Sequence, residues 1–148
     1  MAIIEVQNLS KTYGAGDTAV SALDGVNLSI DAGKFVAVMG PSGCGKSTLL
    51  HLIGGLDRPT GGKVLIEEQD IAAMKDEQLT ELRRRKMGFI FQFFNLIPVL
   101  SAAENTALPL LLDGVKPSKA NEKALEWLTK NKLADRAAHR PDELSGGQ

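Results

Sequence analysis

The chain has 148 residues, a length sufficient for one ordinary domain with a hydrophobic core, and its net charge is −1. An apolar fraction of 43% and a charged fraction of 24% are typical of a soluble globular protein, and this charge balance gives no reason to expect nucleic acid as a partner. The single cysteine, Cys44, excludes an intrachain disulfide, and we expect neither a signal peptide nor a stretch of the ~20 apolar residues that span a bilayer.

Two strands open the predicted fold. Residues 3–9 and about 19–30 have strand-like apolar patterns, and the second run ends at the turn Asp31–Gly33. The stretch between them, Lys11–Asp17, contains two glycines and predicts a loop.

A phosphate-loop pattern, G-x-x-x-x-G-K-[ST], is met in full between Gly40 and Ser47. The apolar run Phe35–Met39 predicts a strand before it, and Leu49–Ile53 predicts a short buried helix after it. This order of strand, glycine loop and helix is the context in which the pattern binds phosphate. A chance glycine-rich turn is the alternative, but four fixed positions coincide by accident in roughly 1% of chains of this length or fewer.

The loop predicts a site for a nucleotide polyphosphate with Mg²⁺. Glycines let the backbone N–H groups point inward, and the first turn of the helix adds unpaired N–H groups and a positive dipole end. We expect Lys46 to reach the β- and γ-phosphates and the Ser47 hydroxyl to ligate Mg²⁺. The candidate phosphate-binding residues are Gly40, Ser42, Gly43, Cys44, Gly45, Lys46, Ser47 and Thr48.

The middle of the chain predicts a strand over residues 63–67 and a polar helix over Asp76–Lys86. The helix ends in four cations, Arg83–Lys86, which we interpret as a solvated helix end that complements the dipole, with a phosphate or lipid-headgroup surface as the alternative. Met87–Phe91 predicts a buried strand that ends at Gln92.

A helical region follows. Phe93–Leu100 is too apolar for an ordinary exposed loop and is either core or a docking surface. Ser101–Glu104 is a capping box and predicts a helix start, and Pro109 should bend or shorten that helix. Ser118 can cap the next helix, in which Trp127 is interpreted as a core anchor. The residues on its apolar face are Ala120, Ala124, Leu125, Trp127 and Leu128.

The sequence closes with Leu144–Gln148. Ser145 is a good N-cap residue, and Gly146 and Gly147 would expose N–H groups at a helix start, which is a second place to hold an anion. A flexible Gly-Gly stretch is the alternative.

Leu-Ser-Gly-Gly-Gln is identified as the signature motif of the ATP-binding cassette (ABC) family, and together with the phosphate loop it is highly specific. Over all 148 residues the chain resembles the nucleotide-binding subunit of an ABC transporter, and Gly88–Leu112 most resembles the lipoprotein-releasing and macrolide-exporting subfamily. The resemblance implies an α/β P-loop NTPase fold of ABC type. Its parts would be an N-terminal β region over residues 1–34, a phosphate-loop core with the Walker A βα unit over 35–92, and a Q-loop and helical subdomain over 93–148.

The resemblance also implies roles and cofactors. Tyr13 corresponds to the aromatic residue that stacks on adenine, although it could instead be an ordinary edge-strand residue. Gln92 corresponds to the Q-loop glutamine, which meets Mg²⁺ and the attacking water, so Lys46 and Gln92 are the implied catalytic residues and Ser47 and Gln92 the implied metal ligands. In the family, the residues matching Ser145–Gln148 face the nucleotide of an opposing subunit. ATP and Mg²⁺ are the implied cofactors.

The implied partners are integral-membrane permease subunits, contacted through the Q-loop and the helical region, and a second ATPase subunit in a head-to-tail homodimer or related dimer. Nucleic acid is not among them. The implied location is cytoplasmic, on the inner face of the cell membrane through the permease.

The sequence departs from the family pattern in one respect. The strand that ends in an aspartate, the catalytic glutamate after it and the switch histidine have no match, and His51 and His139 are expected to be structural. By resemblance, the unmatched part would also supply central strands between Phe35–Met39 and Met87–Phe91. We therefore expect an N-terminal portion of a larger domain, with an incomplete sheet, weak ATP binding and little turnover.

Two other functions fit parts of the pattern. A non-catalytic nucleotide-binding or interaction module is the main alternative. An ABC ATPase acting on DNA would place a long coiled coil between the two motifs, where this chain has no sustained heptads.

Overall fold

A four-stranded antiparallel sheet with the strand order β2-β1-β3-β4 forms the framework of the first part of the chain. The structure, a computed structural model, describes residues 2–148 and divides into two units, the first extending to Gly88 and the second comprising Phe89–Gln148. Each unit has a hydrophobic cluster of its own. The strands are β1 (Ala2–Tyr13), β2 (Val20–Asp31), β3 (Gly61–Ile66) and β4 (Gln69–Asp70).

Strand β1 pairs with both β2 and β3, so that Ile4 lies opposite Ile30 on one side and Ile66 on the other. The predicted strands near residues 3–9, 19–30 and 63–67 are confirmed. The predicted loop over Lys11–Asp17 is wrong in its first part, because β1 continues through Tyr13, which pairs with Val20. A glycine-poor run such as Lys11-Thr12-Tyr13 continues a strand readily when β2 returns alongside it.

Helix α1 (Lys46–Ile53) packs against this sheet and begins three residues earlier than predicted. Its Leu49 and Leu52 are buried together with Val6, Leu9 and Val64. Full burial of each such side chain contributes about 1.5–3 kcal/mol. The sheet and α1, the helix that follows the phosphate loop, thus share one core.

Helix α2 has the predicted bounds, Asp76–Lys86, and buries only Leu79. The cations at its end have intramolecular partners: Arg83 donates to the Gly55 carbonyl oxygen at 2.6 Å, and Lys86 pairs with Glu67 at 3.1 Å. These contacts support the interpretation of a solvated helix end.

Two predicted strands are wrong. Phe35–Met39 and Met87–Phe91 form no strand in the described part of the chain, and within them Phe35 is 98% and Ile90 100% exposed. A strand exists only where a neighbouring strand takes its backbone donors and acceptors, and none of the four strands described above pairs with either segment. Their apolar composition is typical of buried strands, but composition does not provide the partner.

The second unit is built on two helices, α3 (Ala102–Leu112) and α4 (Pro117–Lys130). The capping box at α3 is confirmed: the Ser101 hydroxyl accepts from the Glu104 amide at 3.2 Å, and the Glu104 carboxylate accepts from the Ser101 amide at 2.7 Å. Pro109 lies inside α3, which ends three residues later. No helix within residues 2–148 is long and apolar enough to cross a membrane.

Helix α4 differs from the prediction at its start and on its packed face. Lys116, not Ser118, is the N-cap residue, because Pro117 takes the first helical position, where its missing N–H group costs nothing. The contact with α3 is made by alanines, and Trp127 is 56% exposed, so its prediction as a core anchor is wrong. Small side chains let the helices approach closely, which leaves the bulky residue outside. The alanines at this contact are Ala107, Ala120 and Ala124.

Candidate functional site

The glycine loop of the first unit is fixed to strand β2 through Gly45. This residue has φ +90°, in the left-handed region that favours glycine. A Cβ atom on it would lie 2.4 Å from the Ala22 carbonyl oxygen and 2.9 Å from Leu23 Cδ2. Gly43, with φ +80°, turns the loop just before it. The sheet therefore holds the end of the loop at the point where α1 begins.

The Lys46 side chain folds back into the loop. Its Nζ donates to the carbonyl oxygens of Gly40 at 2.8 Å and Pro41 at 2.6 Å, and lies 3.7 Å from Cys44 Sγ. An ammonium group has three donors, and here two go to carbonyl oxygens and the third to the Cys44 sulfur, a weak acceptor that an anionic ligand would replace readily. Together with the unpaired N–H groups in the first turn of α1, the loop concentrates positive charge beside an exposed surface.

The residues of the loop fit a magnesium polyphosphate. The side chains of Ser42 and Ser47 are exposed, and Ser47 lies in the first turn of α1, next to Lys46. Across residues 2–148 no group of three or more His, Cys, Asp or Glu side chains could hold a metal ion. Mg²⁺ is commonly held by substrate phosphates with few protein ligands, which is the arrangement that a serine hydroxyl beside a phosphate loop offers.

Tyr13 is at the end of β1 with 43% of its surface exposed. Its hydroxyl donates to Asp57 Oδ2 at 3.0 Å, and Lys11 Nζ lies 4.9 Å from the ring centroid. In the sheet, Tyr13 pairs with Val20 of β2. Val20 and Ala22 are two residues apart, a distance of about 7 Å along the strand. Because the Ala22 carbonyl oxygen lies beside Gly45, Tyr13 and the end of the phosphate loop both adjoin the same stretch of β2.

Lys11 and Asp57 are two residues beside Tyr13 that the sequence analysis did not single out. Lys11 is only 9% exposed, and its Nζ donates to Asp57 Oδ1 and to the Arg58 carbonyl oxygen, both at 2.7 Å. The hydrogen bond from Lys11 holds the pKa of Asp57 below its ordinary value, with bonds from the Arg58 amide and Tyr13 acting in the same direction and burial opposing them. The sequence indicates a contact between Lys11 and Tyr13 in one way only: the two residues are two positions apart and so share a face of β1.

In the second unit, Gln92 is exposed in a turn in which the Phe94 amide donates to the Phe91 carbonyl oxygen at 3.0 Å. The prediction that it ends a strand is wrong, for the reason given for residues 87–91. The core alternative for Phe93–Leu100 is also wrong, since Phe93 is 81% and Val99 70% exposed.

The exposed segment around Phe93–Leu100 is anchored by one side chain that the sequence analysis did not single out. Asn105 of α3 accepts from the Ile97 amide at 2.8 Å and donates to the carbonyl oxygens of Ile97 and Leu100 at 3.1 and 3.0 Å. An amide side chain near a helix start, following an apolar loop, is the only signal for it in the sequence.

Ser145–Gln148 forms a turn. The Gln148 amide donates to the Ser145 carbonyl oxygen at 2.9 Å, and the Gln148 side chain accepts from the Ser145 amide at 2.9 Å. A Cβ on Gly146 would meet only Phe94 Cζ, at 3.8 Å, and one on Gly147 would meet nothing within 4 Å. The surroundings of both glycines are open.

The phosphate-loop residues and Tyr13 thus belong to the first unit, and Gln92 and the Ser145–Gln148 turn belong to the second. His51 is exposed on α1, and the His139 carbonyl oxygen accepts from the Ala102 amide at 2.8 Å at the start of α3.

Residues 23–148 match the sequence profile of the family described as ABC transporter. An uncharacterized ABC transporter ATP-binding protein of Thermotoga maritima is 47% identical over 146 residues, which cover 99% of this chain and 62% of that protein. The lipoprotein-releasing system ATP-binding protein LolD of Geobacter metallireducens is also 47% identical, with 99% and 65% covered. The macrolide export ATP-binding/permease protein MacB of Hyphomonas neptunium is 47% identical as well, with 99% and 23% covered.

Among solved structures, the chain resembles the dimeric ATP-binding cassette MJ0796 of Methanocaldococcus jannaschii, described in a post-hydrolysis state bound to ADP and Pi. The TM-score is 0.89 at 46% identity, and the match covers 98% of this chain and 64% of that one. The chain therefore spans 62–65% of the length of the ATP-binding proteins and the cassette that it matches.

Proposed function

Since this chain belongs to the ABC transporter family, we propose that it is an ATP-binding part of a membrane transporter, and that its full-length form hydrolyses ATP to power transport. The α/β fold of ABC type predicted from the sequence is confirmed by the likeness to the solved cassette. The observation that carries the proposal is the geometry of the phosphate loop. Gly45 is fixed to β2, and the Lys46 ammonium lies inside the loop at the start of α1.

In this proposal the loop binds the phosphates of ATP. The Lys46 ammonium exchanges one or both carbonyl partners for phosphate oxygens, and the Ser47 hydroxyl contributes to Mg²⁺ binding. Tyr13 stacks on the base, and Gln92 takes the role of the family's Q-loop glutamine. Ser145–Gln148 faces the nucleotide of an opposing subunit. The phosphate-binding residues are Gly40, Ser42, Gly43, Cys44, Gly45, Lys46, Ser47 and Thr48.

We propose a lipoprotein-release or macrolide-export type of transporter. Relatives named for these two activities match 99% of the chain. The permease would contact the exposed apolar segment Phe93–Leu100, where 81% of Phe93 is exposed. A head-to-tail dimer is supported by the dimeric structure of the related cassette, and the permease would hold the subunit at the cytoplasmic face of the membrane.

We also propose that the 148-residue chain binds ATP weakly and turns it over slowly. The segment Phe35–Met39, which leads into the loop, has no strand partner in the described chain, so the loop is fixed to the sheet at one end only. A loop that is less preorganised loses part of its binding energy to ordering. None of the residues matched to catalytic roles is a carboxylate, and a missing general base reduces rates by about 10²–10⁴-fold.

The test of ATP binding is titration calorimetry at fixed Mg²⁺ with the wild type and Lys46→Ala. Losing a charge-assisted contact to phosphate should weaken binding at least about 10-fold. Lys63→Ala, which removes an exposed lysine on β3, is the matched control and should bind as the wild type. Equal affinity of the Lys46→Ala variant and the wild type would overturn the assignment.

Measuring ATP turnover distinguishes a slow ATPase from a non-catalytic nucleotide-binding module. ATP hydrolysis at about 1 s⁻¹ or faster by the monomeric 148-residue chain would contradict slow turnover. Binding without turnover in both this chain and the full-length form would favour the alternative, a non-catalytic nucleotide-binding module.

A further inference from the structure

The Asp57 carboxylate joins three groups around the ring of Tyr13. Oδ1 accepts from Lys11 Nζ and from the Arg58 amide, both at 2.7 Å. Oδ2 accepts from the Tyr13 hydroxyl at 3.0 Å. Asp57 lies in the segment after α1, whereas Lys11 and Tyr13 lie on β1. One carboxylate thus fixes two side chains of the strand to a different element.

These contacts restrain the Tyr13 ring in two ways. Its hydroxyl is tied to Asp57, and the Lys11 ammonium lies over the ring at 4.9 Å from the centroid, in the geometry of a cation–π contact. Lys11 is itself 9% exposed and bound to the Arg58 carbonyl oxygen, so it cannot move freely. With the cation over one face, the exposed 43% of Tyr13 offers a ring of fixed plane for stacking.

We propose that Asp57 is a positioning residue for base binding: by holding the Tyr13 hydroxyl and the Lys11 ammonium together, it sets the plane in which the Tyr13 ring meets the base of a nucleotide. The inference rests on the proposed function, because it takes Tyr13 as the residue that contacts the base. A preorganised ring loses less side-chain freedom on binding, so the carboxylate increases the affinity without touching the ligand.

A purely structural ion pair makes a different prediction. If the Lys11–Asp57 pair only links β1 to the segment after α1, its loss would disturb the phosphate loop and the ring alike. Binding of a ligand with a base and of a ligand without one would then fall together. If Asp57 positions the ring, only the ligand with a base is affected.

The experiment compares the affinities for MgATP and for magnesium tripolyphosphate, which has no base, by calorimetry. Asp57→Asn should weaken ATP binding about fivefold, because stacking on an aromatic ring contributes substantially per base, and should leave tripolyphosphate within about twofold. Asp76→Asn is the matched control and should leave both affinities unchanged. Asp76 pairs at 2.7 Å with Arg58, the residue that follows Asp57 in the sequence.

Two further variants make the result decisive. Tyr13→Phe removes only the hydroxyl that Asp57 holds and keeps the Lys11–Asp57 pair. It should weaken the binding of ATP, but not of tripolyphosphate, by about twofold to threefold. If Asp57→Asn does not fold, Tyr13→Phe provides the test. In a Tyr13→Ala background, Asp57→Asn should have no further effect on ATP binding.

Equal losses for the two ligands, no loss of ATP affinity in either Asp57→Asn or Tyr13→Phe, or a further loss in the Tyr13→Ala background would overturn the inference. Failure of the proposed function looks different. The wild type would then bind neither ligand, or Lys46→Ala would bind both as the wild type does, and the inference would fall with it.

Discussion

Gly45 and Ala22 are in such close contact that a Cβ atom on Gly45 would lie 2.4 Å from the Ala22 carbonyl oxygen. Ala22 belongs to β2, and Gly45 is the N-cap residue of α1, so the contact joins the phosphate loop to the sheet. Position 45 excludes a side chain for two reasons: there is no room for a Cβ atom, and the backbone is left-handed with φ +90°.

Gly45→Ala should therefore lower the free energy of unfolding by about 2 kcal/mol or more, through backbone strain and overpacking together. Gly25→Ala isolates the strain, because Gly25 has φ +62° and its Cβ would meet nothing within 4 Å, and should cost about 1 kcal/mol. Urea unfolding of both variants gives the comparison. Equal stabilities of the two variants would show that the contact with Ala22 can relax.

Cys44 offers a chemical probe of the loop. Its thiol is exposed and lies 3.7 Å from Lys46 Nζ, inside the loop that we propose to bind phosphate. Maleimide alkylation should slow when MgATP is added, and the protection should disappear in Lys46→Ala. Since the chain has no other cysteine, the rate reports on this site alone. An unchanged rate at saturating nucleotide would contradict binding across Cys44.

The capping box of α3 gives a prediction for the second unit. Ser101→Ala removes the hydroxyl that accepts from the Glu104 amide at 3.2 Å and should lower stability by about 1 kcal/mol. Ser118→Ala is the control, because Ser118 is not the N-cap of α4, and should change stability by less than about 0.5 kcal/mol. Amide hydrogen exchange in α3 and α4 measures both effects. A larger effect at Ser118 would contradict the assigned caps.

Acid should remove the contribution of Asp57 to stability. Its pKa is lower in the folded state, chiefly through the hydrogen bond from Lys11, so the folded state favours the carboxylate. The stabilisation is complete above the ordinary pKa of about 3.9 and is lost as the pH falls through the lower folded-state value. The stability difference between wild type and Asp57→Asn should be constant from about pH 5 to 7 and shrink below about pH 4. A difference that grows on acidification would contradict this sign.

The parts of the fold with local signals were predictable from the sequence. The bounds of α2 and the capping box at Ser101 follow from residues within one or two helical turns, and the phosphate loop follows from eight consecutive positions. The strands predicted at Phe35–Met39 and Met87–Phe91 were wrong because a strand also needs a partner, which no local pattern supplies.

The rest of the candidate site depends on contacts between distant residues. Lys11 and Asp57 are 46 positions apart, and nothing in either neighbourhood indicates that they meet. Trp127 was misplaced because size and hydrophobicity suggest a core residue, whereas α4 packs through Ala120 and Ala124. A close contact between helices favours small residues, so a prediction that places the largest apolar side chains in the core fails here.

The outward position of Trp127 gives the protein a built-in fluorophore. It is the only tryptophan in the chain, it is 56% exposed, and the Lys130 ammonium lies 4.7 Å from its ring centroid. Its emission should therefore be red-shifted in the folded protein and accessible to a quencher such as iodide. Any molecule that covers this face of α4 should shift the emission to the blue and reduce the quenching, so binding to the second unit can be followed without a label.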